Sequence, residues 1–372
     1  MQLKQVKLNN FRNYRDLTIC FDQGVHVFCG RNAQGKTNLL EAIFIAVLGK
    51  SFRASNEEEL IRWESNECNL QIGFQNKIAD HILKIKLKRE GARENLLNGQ
   101  TVKKKDIIGL LNAVFFSPED LWLIKGSPSG RRRFIDFVIS QTSPTYYRTL
   151  IQYNRALYQR NNLLKQINEG ISRRNTIELW DESLSNLAEK LVKERVYTIC
   201  ELSAIAGQVH KKITNGAEEF SAHYLVFGSG EKKEYDYKSW YDKTLKETLE
   251  KDIRRGATEI GPHKDDLSFF INTHDERIFA SQGQQRTSVL SLKLAEIELM
   301  LHHTGEYPIL LLDDVMSELD EKRRANLIEE INGKVQTFIT ATKEINALSD
   351  LNPIYYYVKS GEVCQETGRF DD

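Results

Sequence analysis

Near the start of the chain Val6 and Leu8 alternate with polar residues, a run closed by Phe11-Arg12-Asn13-Tyr14, and Thr18 to Phe21 offers a second short stretch of the same kind. Alternation with period two is the mark of a half-buried strand, so two strands are predicted here. Gly24 marks a turn, and the compact apolar stretch Val25-His26-Val27-Phe28-Cys29 predicts a buried strand that delivers the chain into Gly30. From Asn38 to Leu48 the period lengthens: Leu39, Leu40, Ile43 and Ala46 or Val47 fall at helical spacing, and the run stops before Gly49. Further along, the pattern predicts a helix from about Arg286 to Leu301, a buried strand at Ile309-Leu310-Leu311-Leu312 and another at Thr337-Phe338-Ile339.

Between these blocks, roughly Leu121 to Arg255, the pattern is mainly helical. Helical spacing holds over Arg131 to Ile139, Tyr146 to Ile167, Ile177 to Ile213 and Ser239 to Ile253, with one short strand-like run at His223 to Phe227. Heptads sustained over hundreds of residues are absent, which makes this region an arm rather than a long rod. The expected organisation is an N-terminal part over 1–120, an inserted helical arm over 121–255 and a C-terminal part over 256–372.

Composition adds class but little direction. The chain has 372 residues, 40% hydrophobic and 28% charged, the balance of a globular protein of two or three domains. Its 52 basic residues are matched by 52 acidic ones, so any nucleic-acid surface has to be local. The five cysteines form no close pair and suggest neither a zinc site nor a disulfide framework. No apolar run approaches the roughly 20 residues of a membrane-spanning helix, and Met1 to Val6 does not open a secretory signal. A cytoplasmic protein without a membrane partner is expected.

The chemistry begins at Gly30-Arg31-Asn32-Ala33-Gln34-Gly35-Lys36-Thr37, a full match to the phosphate-binding loop, placed between a predicted strand and a predicted helix. Glycines let backbone N–H groups curl around phosphates, Lys36 is expected as an exposed cation at the loop tip, and the Thr37 hydroxyl reaches Mg²⁺. The second half of such a site is an apolar strand ending in acid, here Asp313-Asp314. Asp313 is expected to orient the Mg²⁺ shell and Asp314 the attacking water. Almost the whole chain separates the two halves, whereas one strand-helix-strand unit needs only about 30 residues, so something large is inserted. Ser281-Gln282-Gly283-Gln284-Gln285, at the start of a helix, offers N–H groups and a hydroxyl to an anion. Because the chain's own loop already occupies the phosphates of its ATP, Ser281, Gly283 and Gln284 are expected to contact the ATP of a second copy. Ser317-Glu318-Leu319-Asp320 follows the acidic strand.

Phosphate loop, Ser-x-Gly-Gln signature, acidic strand and Ser-x-x-Asp, in this order, resemble the ABC ATPases. More closely the chain resembles the RecF family, short relatives of the chromosome-structural SMC proteins. The likeness runs through Asn10-Phe11-Arg12-Asn13-Tyr14, Gly30 to Glu41, Phe116-Ser117-Pro118-Glu119-Asp120-Leu121, Gly126 to Asp136, Gly261-Pro262-His263-Lys264-Asp265-Asp266, Ser281 to Arg286 and Leu311 to Asp320. It implies an α/β fold, an ABC-type P-loop ATPase head carrying the helical arm. It implies ATP and Mg²⁺ as cofactors, an ATP-dependent homodimer on gapped or damaged DNA, work with RecR and RecO to help load the recombinase RecA, and nucleotide contacts from Arg12 and Asn13.

The signature carries Gln282 where transporter signatures usually have a second glycine, and Asp314 replaces the longer glutamate general base of most ABC proteins. An acid one methylene shorter holds its water at a poorer distance, which points to slow hydrolysis and a switch rather than a motor. Thr340-Ala341-Thr342 stands where many ABC proteins place a switch histidine. Candidate DNA contacts are the basic clusters Lys103-Lys104-Lys105, Arg131-Arg132-Arg133, Arg173-Arg174 and Arg254-Arg255. Arg131, Arg132 and Arg133 are favoured because they lie inside a family motif, with an ion pair to acidic neighbours as the alternative. His263 has no nucleophile partner or metal-ligand spacing and reads as structural. The other functional class is the soluble ATPase subunit of a membrane transporter, which shares the ATP site but lacks such an arm; a P-loop kinase leaves Ser281 to Gln284 unexplained.

Overall fold

The structure, a computed structural model, describes residues 1–172, 174–228 and 236–365. It divides into two compact units, one made of Met1–Leu121, Lys212–Asn215 and Arg286–Asp372, the other of Trp122–Lys211 and Gly216–Gln285.

In the first unit β1 (Gln2–Phe11) and β2 (Tyr14–Cys20) form a hairpin, and β3 (Val25–Cys29), buried at every position, runs into the loop before α1 (Lys36–Leu48). The chain then adds β4 (Glu67–Gln75), β5 (Asp80–Lys88), β6 (Glu94–Leu97) and β7 (Gln100–Thr101), which extend the hairpin into a six-stranded antiparallel sheet of order β2-β1-β4-β5-β6-β7. Along β4 Cys68, Leu70, Ile72 and Phe74 are buried while their neighbours are not, as a sheet with one solvated face requires. The last strand of this stretch, β8 (Ala113–Phe116), belongs to a different sheet and is fully buried.

The second unit opens with α2 (Trp122–Lys125) and α3 (Pro128–Thr142), followed by α4 (Pro144–Asn168), α5 (Ile177–Ile213), β9 (Phe220–Leu225) and α6 (Tyr237–Arg255). These match the helices and the short strand expected from the periodicity, and the bounds of α5 coincide with it. The C-terminal limit differs. After α6 come β10 (Asp266–Ile271), β11 (His274–Asp275) and α7 (Glu276–Phe279), and β10 pairs antiparallel with β9 from Asp266 opposite Leu225 to Ile271 opposite Phe220. Residues 256–285 are therefore tied by a strand ladder to the inserted unit rather than to the flanking one, and the boundary expected at Arg255 moves to Gln285.

This unit is organised around three arginines almost entirely withdrawn from solvent. Arg160 pairs with Asp181 and Asp252, and Arg195 with Asp136, Tyr146, Tyr224 and the Pro262 carbonyl. The third is Arg131, only 1% exposed, whose guanidinium forks onto Asp266 at 2.7 and 3.0 Å and donates to the Gly126 carbonyl at 2.8 Å. Arg132 donates to the Asp265 carbonyl, and only Arg133 of the three is exposed. The DNA contact expected at Arg131 is thus corrected: its charge is consumed inside the fold by the acidic end of Gly261 to Asp266. Arg173 lies outside the described residues.

The chain returns to the first unit in the opening turn of α8 (Gln282–Thr304), then forms β12 (Ile309–Asp313), α9 (Val315–Glu318), α10 (Glu321–Ile331), β13 (Thr337–Ala341), β14 (Ile354–Lys359) and β15 (Glu362–Gln365). The second sheet has the order β15-β14-β3-β13-β12-β8, parallel except for β15. Helix α1 packs against β4 of one sheet and β8, β12 and β13 of the other. Leu39 to Leu48 are all buried, so the one-sided helix expected from the spacing is buried around its circumference, Glu41 included, because it is covered on both sides.

Removing one partner of a buried ion pair leaves a charge without compensation. Arg131→Gln is expected to lower unfolding free energy by about 3 kcal/mol, whereas Arg133→Gln stays within about 0.5 kcal/mol of the parent. Urea titration followed by circular dichroism measures both, and equal midpoints would contradict a structural role for Arg131.

Candidate nucleotide-binding site

Strand order assembles the site. The phosphate loop follows β3 and the acidic pair follows β12, with β13 between them, so that Asp313 stands opposite Thr340 and Ala341 opposite Cys29. The two halves of the motif meet at the carboxyl ends of parallel strands, where α/β sheets bind ligands. There the Thr37 hydroxyl donates to Asp313 Oδ1 at 2.9 Å, and the Thr340 hydroxyl donates to the same oxygen at 2.7 Å. Thr340 Oγ1 in turn accepts the Asp314 backbone N–H at 2.9 Å. The residue at the switch position is therefore a hydroxyl that joins both acids.

Lys36 is not the exposed tip cation that was expected. It is 7% exposed, and its Nζ donates to the carbonyls of Gly30 at 2.5 Å and Arg31 at 2.9 Å. Burial lowers its pKa, while Asp314 and Asp313 oppose that shift. The loop is shaped from outside as well as within. Tyr14 OH donates to the Gly35 carbonyl and the Asn13 amide to the Gln34 carbonyl, while the Ser360 and Gly361 N–H groups hold the Gln34 side chain and carbonyl. A Cβ at Gly35, whose φ is +120°, would lie 2.6 Å from the Asn13 amide. Only glycine lets that brace close.

Arg12, expected near nucleotide, forks onto Glu41 of α1 through bonds of 2.9 and 2.8 Å. Arg53 and the Ser51 hydroxyl bind the same carboxylate. Burial alone would raise the Glu41 pKa, but the Arg12, Arg53 and Ser51 hydrogen bonds outweigh it and hold the group below its ordinary value. Sequence reasoning missed Glu41 and Arg53. The available signal was a lone acid between Leu40 and Ala42 in an otherwise apolar run.

Asp314 has φ 56° and ψ 20°, the left-handed region that a side chain bearing Cβ rarely adopts. Its carboxylate accepts from Ser317 Oγ at 3.3 Å, and it lines a cavity of about 850 Å³ together with Gly30, Arg31, Thr340, Lys343 and Tyr357. Strain of this kind gathers at functional sites. Arg31, Asn32 and Ala33 are exposed on the loop, with Ala33 also at positive φ. Among the described residues no cluster of three or more His, Cys, Asp or Glu side chains could hold a metal by itself. Thr37 and Asp313 supply two oxygen ligands, which fits Mg²⁺, an ion that takes one or two protein oxygens and completes its shell with water and phosphate.

The signature lies in the second unit. α8 starts at Gln282, four residues before the expected Arg286, because Ser281 caps it. Ser281 Oγ accepts the Gln284 N–H at 3.2 Å and Gln284 Oε1 accepts the Ser281 N–H at 2.9 Å, a reciprocal capping box. The other end of the Gln284 amide donates to Glu218 Oε1 at 2.9 Å, and Glu218 Oε2 meets His210 Nε2 at 3.1 Å. Burial lowers the His210 pKa against the pull of Glu218. Glu218 and His210 were not foreseen; nothing in their spacing marks them. Ser281 stays exposed and Gly283 half-buried. His263 is structural as read: Nδ1 pairs with Tyr153 OH at 2.7 Å, Nε2 with the Thr258 carbonyl at 3.0 Å, and burial pushes its pKa down to about 4.

Comparison with known proteins identifies the family. The family described as RecF/RecN/SMC N terminal domain matches residues 2–359. The DNA replication and repair protein RecF of Lachnoclostridium phytofermentans is 43% identical over 92% of this chain and 93% of its own length. That of Bacillus cytotoxicus is 41% identical over 99% of this chain and 100% of its own. A solved structure of the recombination mediator protein RecF with ATP, in the RecFOR pathway, superposes with a TM-score of 0.90 at 35% identity, covering 98% of this chain and 97% of that one. An Smc head bound to the C-winged helix domain of ScpA shares the fold alone, with a TM-score of 0.57 at 16% identity. The chain belongs to the RecF/RecN/SMC family and, within it, to the RecF proteins.

Proposed function

We propose that this protein is an ATP-dependent DNA-binding switch of DNA replication and repair, which dimerises on gapped or damaged DNA when ATP is bound, hydrolyses ATP slowly and works with RecR and RecO to help load recombinase. The observation that carries the reading is the convergence of Thr37, Asp313 and Thr340 beside the phosphate loop, an arrangement that suits a nucleoside triphosphate and Mg²⁺. RecF relatives support its placement in repair. Nothing favours the transporter alternative, and no helix among the described residues is long and apolar enough to cross a membrane.

ATP entry would exchange the carbonyl partners of Lys36 for β- and γ-phosphate oxygens, with the N–H groups from Gly30, Arg31, Asn32, Ala33, Gln34 and Gly35 around them. Thr37 and Asp313 would hold Mg²⁺, whose chemistry is to neutralise phosphate charge. Asp314 would position the attacking water, with a short side chain on a backbone pinned by Thr340. Ser281, Gly283 and Gln284 would complete the ATP of a second copy, giving two equivalent sites about a two-fold axis.

Lys36→Ala is expected to keep its fold by circular dichroism and to lose ATP affinity by roughly tenfold to 100-fold, since a hydrogen bond to a charged group is worth about 1.5–3 kcal/mol. Retained affinity in a fluorescent-nucleotide titration would remove the assignment. In Asp314→Asn, Mg-ATP binding persists while turnover drops about 100-fold or more, and the ATP-bound dimer lives longer; unchanged phosphate release would mean that another residue places the water. Ser281→Arg leaves ATP binding to its own loop nearly intact yet blocks ATP-induced dimerisation. Sedimentation with ATP decides this, and a variant that still dimerises normally rules out the trans contact.

A further inference from the structure

Basic residues of the second unit are distributed unevenly among its helices. α5 carries Lys190, Lys193, Arg195, Lys211 and Lys212 interleaved with six acids, and α6 mixes six cations with four acids. The 25 residues of α4 hold Arg148, Arg155, Arg160 and Lys165 and no acid. At the chain's average acid content a segment of that length would carry about three or four. Arg160 is spent on Asp181 and Asp252 in the core. The other three are exposed and enter no ion pair among the described residues.

Their spacing gathers them. Positions 148, 152, 155, 159, 162 and 166 follow the alternating step of four and three that defines one helical face, occupied by Arg148, Gln152, Arg155, Gln159, Asn162 and Gln166. Every one of these side chains carries N–H donor groups. Lys165 flanks this face at the far end, and Tyr158, 63% exposed, borders it. At about 1.5 Å per residue the stripe is roughly 27 Å long. The acids nearest in sequence do not neutralise it: Asp136 on α3 is turned into the Arg195 and Tyr146 network, and Glu169, which caps the C-terminus of α4, forms no ion pair among the described residues.

We propose that the exposed face of α4 is the DNA-binding surface of the arm and grips the phosphodiester backbone without reading sequence, with Arg148, Arg155 and Lys165 as ionic contacts and the amides between them as neutral donors. A straight, acid-free row of donors complements a rod of regularly spaced phosphates, and in a chain of zero formal net charge such segregation concentrates positive potential where composition shows none. An acidic protein would satisfy the cations, but it leaves a row of amides with no reason to share their face. The inference rests on the DNA-binding function proposed above and places it on a helix not singled out by any basic run in the sequence.

The test is the full-length triple variant Arg148→Gln, Arg155→Gln, Lys165→Gln, titrated with a 30-base-pair duplex and the matching single strand over a salt series in the presence of ATP. All three sites are exposed, and unchanged ATP binding and thermal midpoint serve as controls. The expected result is weaker binding, with the slope of log affinity against log salt flatter by about two to three on duplex, since each lost phosphate contact removes about 0.9. Lys190→Gln with Lys193→Gln, on exposed α5 positions, is expected to keep the parental slope. Equal slopes for the triple variant and the parent overturn the proposal and leave α4 to an acidic protein partner, as does an equal loss in the α5 pair, which would mark a general charge effect. A parent chain that binds neither DNA at low salt fails at the earlier step, the proposed function itself.

Discussion

One oxygen of Asp313 accepts hydroxyls from Thr37 and Thr340, residues from three parts of the chain that only a specific strand order brings together. Everything else in the first unit serves this meeting. β3, β13 and β12 must lie side by side in parallel, which demands crossover connections; β3 and β12 are separated in sequence by most of the chain, so the crossover region can hold a whole second unit without disturbing the ladder. The sheet also has to be covered on the face that receives α1, and the antiparallel sheet supplies that cover. A hydrogen-bonded carboxylate at the end of an apolar strand has few rotamers open to it, which would suit the strict geometric demands of the proposed Mg²⁺.

The second unit is held by a different kind of interaction. Arg131, Arg160 and Arg195 are almost entirely withdrawn from water, and each is paired with carboxylates and with carbonyl or hydroxyl oxygens rather than apolar neighbours. Such pairs return little net stability, because desolvating both charges costs about as much as their attraction gains. Their geometric demands are strict, however, since a guanidinium misplaced by an ångström strands several donors. The Gly261 to Asp266 segment acts as the hub: Pro262 accepts from Arg195, His263 meets Tyr153, Asp265 accepts from Tyr224 and Asp266 takes Arg131. A Cβ at Gly261, where φ is +145°, would sit 2.3 Å from the Tyr153 hydroxyl. The conspicuous motif outside the nucleotide site is thus architectural.

What the sequence made legible was whatever depends on neighbours in the chain. The strand before Gly30, the helix after it, the apolar strand ending in Asp313 and the long helix Ile177–Ile213 all announce themselves by period and composition. What stayed hidden depends on partners distant in sequence. Lys36 looked exposed because a loop tip usually is, yet the loop's own carbonyls enclose it. Arg131 looked like a phosphate ligand because it belongs to a basic cluster inside a family motif, whereas on a helix successive residues point in different directions, and the first of the three faces inward. Arg148 and Arg155, seven residues apart, form no visible run in the sequence and fall together only once the helix winds them onto one face.

The same distinction bears on how DNA and ATP can influence each other. Coupling between two sites needs an element whose state both ligands bias, and it is reciprocal. Within the second unit the signature serine is held by Gln284, the Gln284 amide is oriented by Glu218, and Glu218 meets His210 near the end of α5. An amide has two chemically distinct ends, so Glu218 does more than anchor: by taking the N–H end it turns the carbonyl end toward Ser281, and a shift of α5 that broke this bond would free the amide to flip and open the capping box. The arm that carries the proposed DNA surface therefore also carries the determinant of signature geometry. On the proposed trans contact, DNA would not need to approach the ATP site to favour an ATP-bound dimer; it would only have to prefer the arm conformation in which the bond from Gln284 to Glu218 is made.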